Sequence, residues 1–327
     1  MAGTTNFVAA QAVNRRNTMI LLAVLTAMAA VVGYLIGWAL QGNGGYGSGY
    51  GSYRSSPISS AGLVAAAMMA AASVIWSLIS LTFGDKMVLS MADAKEIQKQ
   101  DAPQLYNVVE EMSLAAGVPM PRVMILETEA MNAFATGTRP THGTIVVTRG
   151  LLEKLSRDEL QGVIAHEMSH LANLDTRYMV VVGVTVGLIA LVCDMVLRMM
   201  QWGSFAGGRR DDDRRGGGAG AIIAIVVLIL VAILAPIAAR AVQMAVSRQR
   251  EYLADATSVQ FTRNPNGLIS ALTKLTEAAA PFPGVSRATQ HLFIVNPVQE
   301  MTADTSSLMA THPDIADRIA RLRNLGD

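Results

Sequence analysis

His166, Glu167, Met168, Ser169 and His170 form an H-E-x-x-H pattern. Residues four apart on an α-helix lie one turn above each other on one face. Both imidazoles can therefore hold one metal ion, with the intervening glutamate aimed at the ion's open position. The chemistry this suits is attack by a metal-activated water with a carboxylate as base. Two surface histidines on an amphipathic helix are the alternative reading. A catalytic zinc needs a third protein ligand, and the single cysteine, Cys193, rules out a thiolate set or an internal disulfide. The candidate is Glu251, with Asp255 beside it. They too are four apart, so a helix offers one to the metal and the other to the free ring nitrogen of a ligating histidine.

Elements able to position these groups are visible around them. Ser156 and Glu159 make a capping box, and Leu160, Val163, Ile164, Leu171 and Leu174 recur at helical spacing through the motif. Leu105 to Ala116 reads as a helix stopped by Gly117 and Pro119. Three β-rich runs follow, at Val123 to Leu126, Ala133 to Thr136 and Thr144 to Thr148, with residues 139–143 as a turn between the last two. The expected soluble part is α+β with a small sheet.

The rest of the chain is too apolar for water alone. Of its 327 residues 51% are hydrophobic and only 16% charged, against roughly 25% in ordinary soluble domains. Four stretches account for the difference: Thr18 to Leu40, Gly62 to Phe83, Tyr178 to Met200 and Ala219 to Ala239. Each approaches or exceeds the roughly 20 residues needed to span hydrocarbon. They contain only two charges, Asp194 and Arg198, and outside them the charged fraction rises to about 21%, near the soluble norm. A cleaved signal peptide competes for the first stretch, but its apolar core is longer than the roughly 7–15 residues of such signals. Buried hairpins in a soluble domain compete for the last two. A net charge of +1 leaves no field for nucleic acid.

Arg15, Arg16, Lys86, Lys95, Lys99, Arg240 and Arg248 flank the spans on one side, which is therefore expected to be cytoplasmic. The Gly-rich loop 41–61 and the Arg/Asp-rich loop 201–218 fall on the other. The predicted organisation is a membrane anchor over 1–83, a first cytoplasmic part over 84–177, a membrane hairpin over 178–239 and a second cytoplasmic part over 240–327. Two crossings between His170 and Glu251 return the third ligand to the histidines' side, just above the bilayer.

In order, Asn132 to Gly137, the helix with His166, two spans, Arg250 to Asp255, and His312-Pro313 with Arg318 resemble the HtpX family of membrane metalloproteases, relatives of the type I CAAX prenyl proteases. The likeness runs from the first span to about Arg323; the loops 41–61 and 201–218 are longer and richer in glycine than is usual there. The resemblance implies a mainly α fold, with four transmembrane helices and a cytoplasmic zincin-like domain. It implies one Zn²⁺ per subunit held by His166, His170 and Glu251, with Glu167 as catalytic base and Asp255 orienting a ligand histidine. His312 and Arg318 would line the substrate side, and Asn132, Ala133, Phe134 and Ala135 would form a substrate-binding edge strand. The implied role is cleavage of misfolded or surplus membrane proteins at the cytoplasmic face of the cell (inner) membrane. Polypeptides and the lipid bilayer are the expected partners. Two rival classes are a transporter component, supported by Asp194 within a span, and a catalytically silent zinc scaffold.

Overall fold

A computed structural model describes residues 7–43, 59–185, 248–278 and 313–326. The chain divides into two compact units. One contains Met1–Thr18, Ser80–Val184 and Ala241–Asp327; the other contains Met19–Ile79 and Thr185–Arg240. Most of the third predicted span and all of the fourth lie outside the described residues.

Two long helices, α1 (Phe7–Asn43) and α2 (Ser60–Ala92), cover the first two predicted spans and run past them. Both are long and apolar enough to cross a membrane. Large apolar side chains such as Met19, Val31, Val64, Met68 and Ile75 are exposed along them, as expected of helices whose solvent is hydrocarbon. Small residues bring these helices close. A Cβ added to Gly33 would lie 2.5 Å from the Ala65 carbonyl oxygen, and one on Gly37 would lie 2.4 Å from that of Ala61. This spacing of small residues lets backbones touch where no water drives helices together.

In the other unit a four-stranded sheet supports the helices. Its strands are β1 (Lys95–Glu96), β2 (Arg122–Leu126), β3 (Ala133–Thr136) and β4 (Thr144–Thr148), in the order β1-β2-β4-β3. β2 and β4 are parallel, while β1–β2 and β3–β4 are antiparallel. The last three strands follow the predicted runs, with β2 one residue longer. The short β1 has too few residues to show an alternation. Between β3 and β4 the predicted turn is a 3₁₀ helix, Pro140–His142.

α3 (Pro103–Ala116) ends as its sequence predicts: Gly117 takes φ 66°, a left-handed conformation that costs glycine little, and its N–H caps the last carbonyls. After the short α4 (Arg149–Lys154) comes α5 (Arg157–Ala172), which carries the H-E-x-x-H residues. Residues 175–185 continue as a further helix, α6, and α7 (Arg248–Thr262), α8 (Pro265–Glu277) and α9 (Ile315–Gly326) complete the described elements. α5 lies in the middle of the unit. Val163, Ile164 and Met168 are fully buried in one core with Ile145 and Val147 of the sheet and Leu272 of α8.

The capping box forms as predicted. Ser156 Oγ accepts from the Glu159 backbone, and Glu159 Oε2 accepts from the Ser156 backbone at 2.7 Å. The same carboxylate binds α8, taking hydrogen bonds from Lys274 Nζ at 2.8 Å and from Ser270 Oγ. Burial alone would raise its pKa, but the bonds from Lys274, Ser270 and Ser156 outweigh that and hold it at about 2.

Because the folded pKa lies below the ordinary 4.5, this stabilisation is complete above that value and is lost as pH falls towards 2. Glu159→Gln is expected to cost about 1–2 kcal/mol at pH 7 in denaturant titrations of the detergent-solubilised protein. The difference from wild type should shrink steadily below pH 4.5. An equal loss at pH 7 and pH 2.5 would show that the carboxylate's charge does not hold α5 to α8.

Candidate metal centre

Helical periodicity places His166 and His170 on one face of α5, with their Nε2 atoms 3.3 Å apart and the rings edge to face. Glu251, in the first turn of α7, arrives from the far side of the long apolar insertion. Its carboxylate oxygens lie 3.6 Å from His166 Nε2 and 3.8 Å from His170 Nε2. One ligand atom from each of the three lies within 4.8 Å of the others, and all three residues are buried.

The atoms behind the imidazoles decide which way they face. Asp255, one turn after Glu251 on α7, has Oδ1 3.0 Å from His166 Nδ1. Asp175 has Oδ2 3.0 Å from His170 Nδ1. A carboxylate at Nδ1 favours the tautomer with its proton there and leaves the Nε2 lone pair as donor to a metal. The two Nε2 atoms therefore converge as ligands. Tetrahedral zinc with bonds of roughly 2.0–2.1 Å would require its nitrogen ligands to stand about 3.3 Å apart, the separation found here. Burial disfavours a charge on His166, yet Asp255 and Glu251 outweigh it and raise its pKa to about 9, so without metal the ring holds a proton that metal binding would displace. Donor types and spacing fit a resident metal ion.

Glu167 is 2% exposed on the same turn. Burial raises its pKa, opposed by His166 and His170 and by a backbone hydrogen bond from Ala135 of β3. Among the described residues β3 is the last strand of the sheet, and since the Thr148 amide donates to the Asn132 carbonyl, the register leaves the Ala133 and Ala135 amides pointing away from β4. Asn132 directly precedes this strand, its backbone N–H and carbonyl fixed by the Thr148 hydroxyl. Ala133, Phe134 and Ala135 are each no more than 2% exposed.

Arg318, expected on the substrate side of the site, lies against the metal-ligand candidates, its terminal nitrogens 3.7 Å from Glu251 and 3.4 Å from His166. It is fully buried, with Nε and one terminal nitrogen donating to the two oxygens of Asp255 at 2.9 and 2.7 Å. A buried guanidinium needs a carboxylate partner, and the fork geometry matches Asp255. The pair holds Asp255 ionised: burial would raise its pKa, but Arg318 and His166 bring it to about 2. Nearby Arg321 instead stacks on Tyr252. His312 lies outside the described residues.

Sequence reasoning missed Asp175. α5 ends at Ala172, Leu174 takes a left-handed φ of 61°, and α6 starts at residue 175. In an unbroken helix a residue five positions on would stand about 140° round the axis, out of reach. The break turns Asp175 back to His170. The available signal was a carboxylate directly before an apolar stretch, where a charge needs a reason. Asp175 also accepts from Arg250 Nε at 2.9 Å and from Asn14 Nδ2 at 2.6 Å.

Residues 99–326 match the family model described as Peptidase family M48. A Protease HtpX homolog of Listeria innocua is 47% identical over 267 residues, covering 81% of this chain and 86% of the relative. A Protease HtpX homolog of Streptococcus agalactiae is 41% identical over 312 residues, covering 95% and 97%. The crystal structure of S. mikatae Ste24p aligns with a TM-score of 0.47 at 19% identity, over 78% of this chain and 57% of that one.

Since Asp175 and Asp255 set the tautomers, Asp175→Asn and Asp255→Asn should each weaken zinc binding about 10–100-fold in chelator competition. Unchanged affinity in both variants would remove the carboxylates from the metal's support.

Proposed function

Because the chain belongs to peptidase family M48, among its HtpX members, and is a metallopeptidase, we propose that it is a multi-pass zinc endopeptidase of the cell (inner) membrane, cleaving misfolded or surplus membrane proteins at the cytoplasmic face. The observation that carries this reading is the convergence of His166, His170 and Glu251 beside Glu167. Two imidazoles, one carboxylate and an open position favour zinc over other divalent ions. When bound, zinc supplies a Lewis acid that lowers the pKa of water towards 7 and polarises a carbonyl.

The chain's own residues do the rest. Glu167 accepts a proton as water attacks the scissile carbonyl and later delivers it to the leaving amine. Burial raises its pKa, which favours holding the proton between the two transfers. Asp255, clamped by Arg318, and Asp175 keep the two imidazoles turned to the metal. His312 is the proposed donor to the negative charge of the tetrahedral intermediate.

An extended peptide adds along the outer side of β3, from Asn132 to Ala135, beside Glu167. Main-chain hydrogen bonds of this kind demand no particular sequence, which suits the clearance of varied substrates. Four spans with the site on the cytoplasmic side suit the positions of Arg15, Arg16, Lys86, Lys95, Lys99 and Arg248 near span ends. The domain division follows: anchor 1–83, hairpin 178–239, and a protease domain assembled from 84–177 and 240–327.

Glu167→Gln should retain one zinc per chain while cleavage of an added unfolded membrane protein falls at least about 100-fold. Cleavage at the wild-type rate by that variant, or wild-type protein active without metal, would overturn the mechanism. For orientation, Cys193→Ser combined with a cysteine at exposed Glu110 should react with an impermeant maleimide in inverted membrane vesicles but not in intact cells. Labelling in intact cells would place the site on the opposite side.

A further inference from the structure

The start of the first membrane helix is wired into the metal centre. Gln11 and Asn14 are three apart on α1 and so share a face. Gln11 Nε2 donates to the Ala172 carbonyl at 2.7 Å, and Asn14 Nδ2 donates to that of Asn173 at 3.0 Å. Both acceptors lie at the end of α5, where helix geometry leaves carbonyls without partners. Gln11 stops there. Asn14 goes further: its Nδ2 also donates to Asp175 Oδ1 at 2.6 Å, and its Oδ1 accepts from Arg250 at 3.2 Å.

Asn14 is 4% exposed and four residues before the apolar stretch begins at Thr18. Its amide is suited to this place. Two donors face two oxygens and one acceptor faces a guanidinium, an arrangement that neither Asp nor Leu reproduces. Asp175 passes the constraint on, since its other oxygen holds His170 Nδ1. The chain of contacts is continuous from α1 to a metal ligand.

We propose that Asn14 is a positioning residue for the metal centre, so that α1 is a working part of the site as well as an anchor. Seating α1 fixes the Asp175 carboxylate, which fixes the His170 ring. By reciprocity of coupled equilibria, metal binding in turn strengthens the seating of residues 7–18. The proposal rests on the metallopeptidase reading given above.

The test is Co²⁺ and Zn²⁺ affinity by chelator competition on the full-length protein in detergent, with amide exchange of residues 8–18 measured with and without metal. Asn14→Ala is expected to weaken binding about fivefold to tenfold, less than loss of a partner that touches the ligand itself. Asn14→Asp keeps the volume but faces Asp175 with a second carboxylate, and should fall at least as far. Gln11→Ala also loses a contact between α1 and α5, so a simple packing role predicts the same loss; under the proposal its affinity stays within twofold of wild type. In an Asp175→Ala background, Asn14→Ala should add less than a twofold change. Exchange at residues 8–18 should slow on metal binding in wild type and not in Asn14→Ala. Wild-type affinity in Asn14→Ala, an equal loss in Gln11→Ala, or an undiminished effect without Asp175 would each overturn the proposal while leaving the metal centre intact. A wild-type protein that binds neither ion would overturn both.

Discussion

No charged group near the two imidazoles can be buried alone. Glu251, Asp255, Asp175 and Arg318 are each less than 5% exposed, at positions where an isolated charge would cost several kcal/mol. Each is therefore paired. Asp255 lies between Arg318 and His166, and Asp175 between Arg250, Asn14 and His170. The pairing that makes burial tolerable also selects the tautomer that leaves both Nε2 lone pairs turned inward. Stability and metal-binding geometry depend on the same hydrogen bonds.

This constraint explains why so many separate elements meet at one place. α5 supplies the histidines, but the groups behind them come from α7, α9, the start of α6 and the start of α1. α5 is fixed against these neighbours by close backbone packing as well as by charge. A Cβ on Gly162 would meet the Leu268 backbone at 2.6 Å, so α5 and α8 approach more closely there than larger residues permit. At one end Glu159 ties α5 to α8; at the other Gln11 and Asn14 cap its carbonyls. The helix bearing the histidines is held at both ends by side chains from distant parts of the sequence.

Local order was legible in the sequence because local chemistry determines it. The capping box at Ser156 and Glu159, the stop at Gly117 and the three longer strands depend on neighbours within a few residues, and each appears where its signals stand. The H-E-x-x-H spacing likewise places both imidazoles on one helical face. Less was legible where few residues carry the pattern. β1 is too short to alternate, α4 is barely longer than a turn, and α8 was not singled out although Asn264 and Pro265 mark its start.

Residue types and helical spacing alone indicated that His166 and His170 share a helix face beside Glu167, and that Glu251 and Asp255 share another. In the fold Glu251, the candidate third ligand, faces the two Nε2 atoms while Asp255 stands behind His166. Which other groups complete the site was decided by tertiary structure. The sequence names no partner for Arg318, and the fold pairs it with Asp255, the carboxylate that a buried guanidinium requires. Asp175 reads as an ordinary polar residue until the left-handed Leu174 breaks the helix and returns it to His170. Asn14 carries no motif, because its role is defined by partners more than 150 positions away. Periodicity records which residues share a face; only the folded chain determines what that face meets.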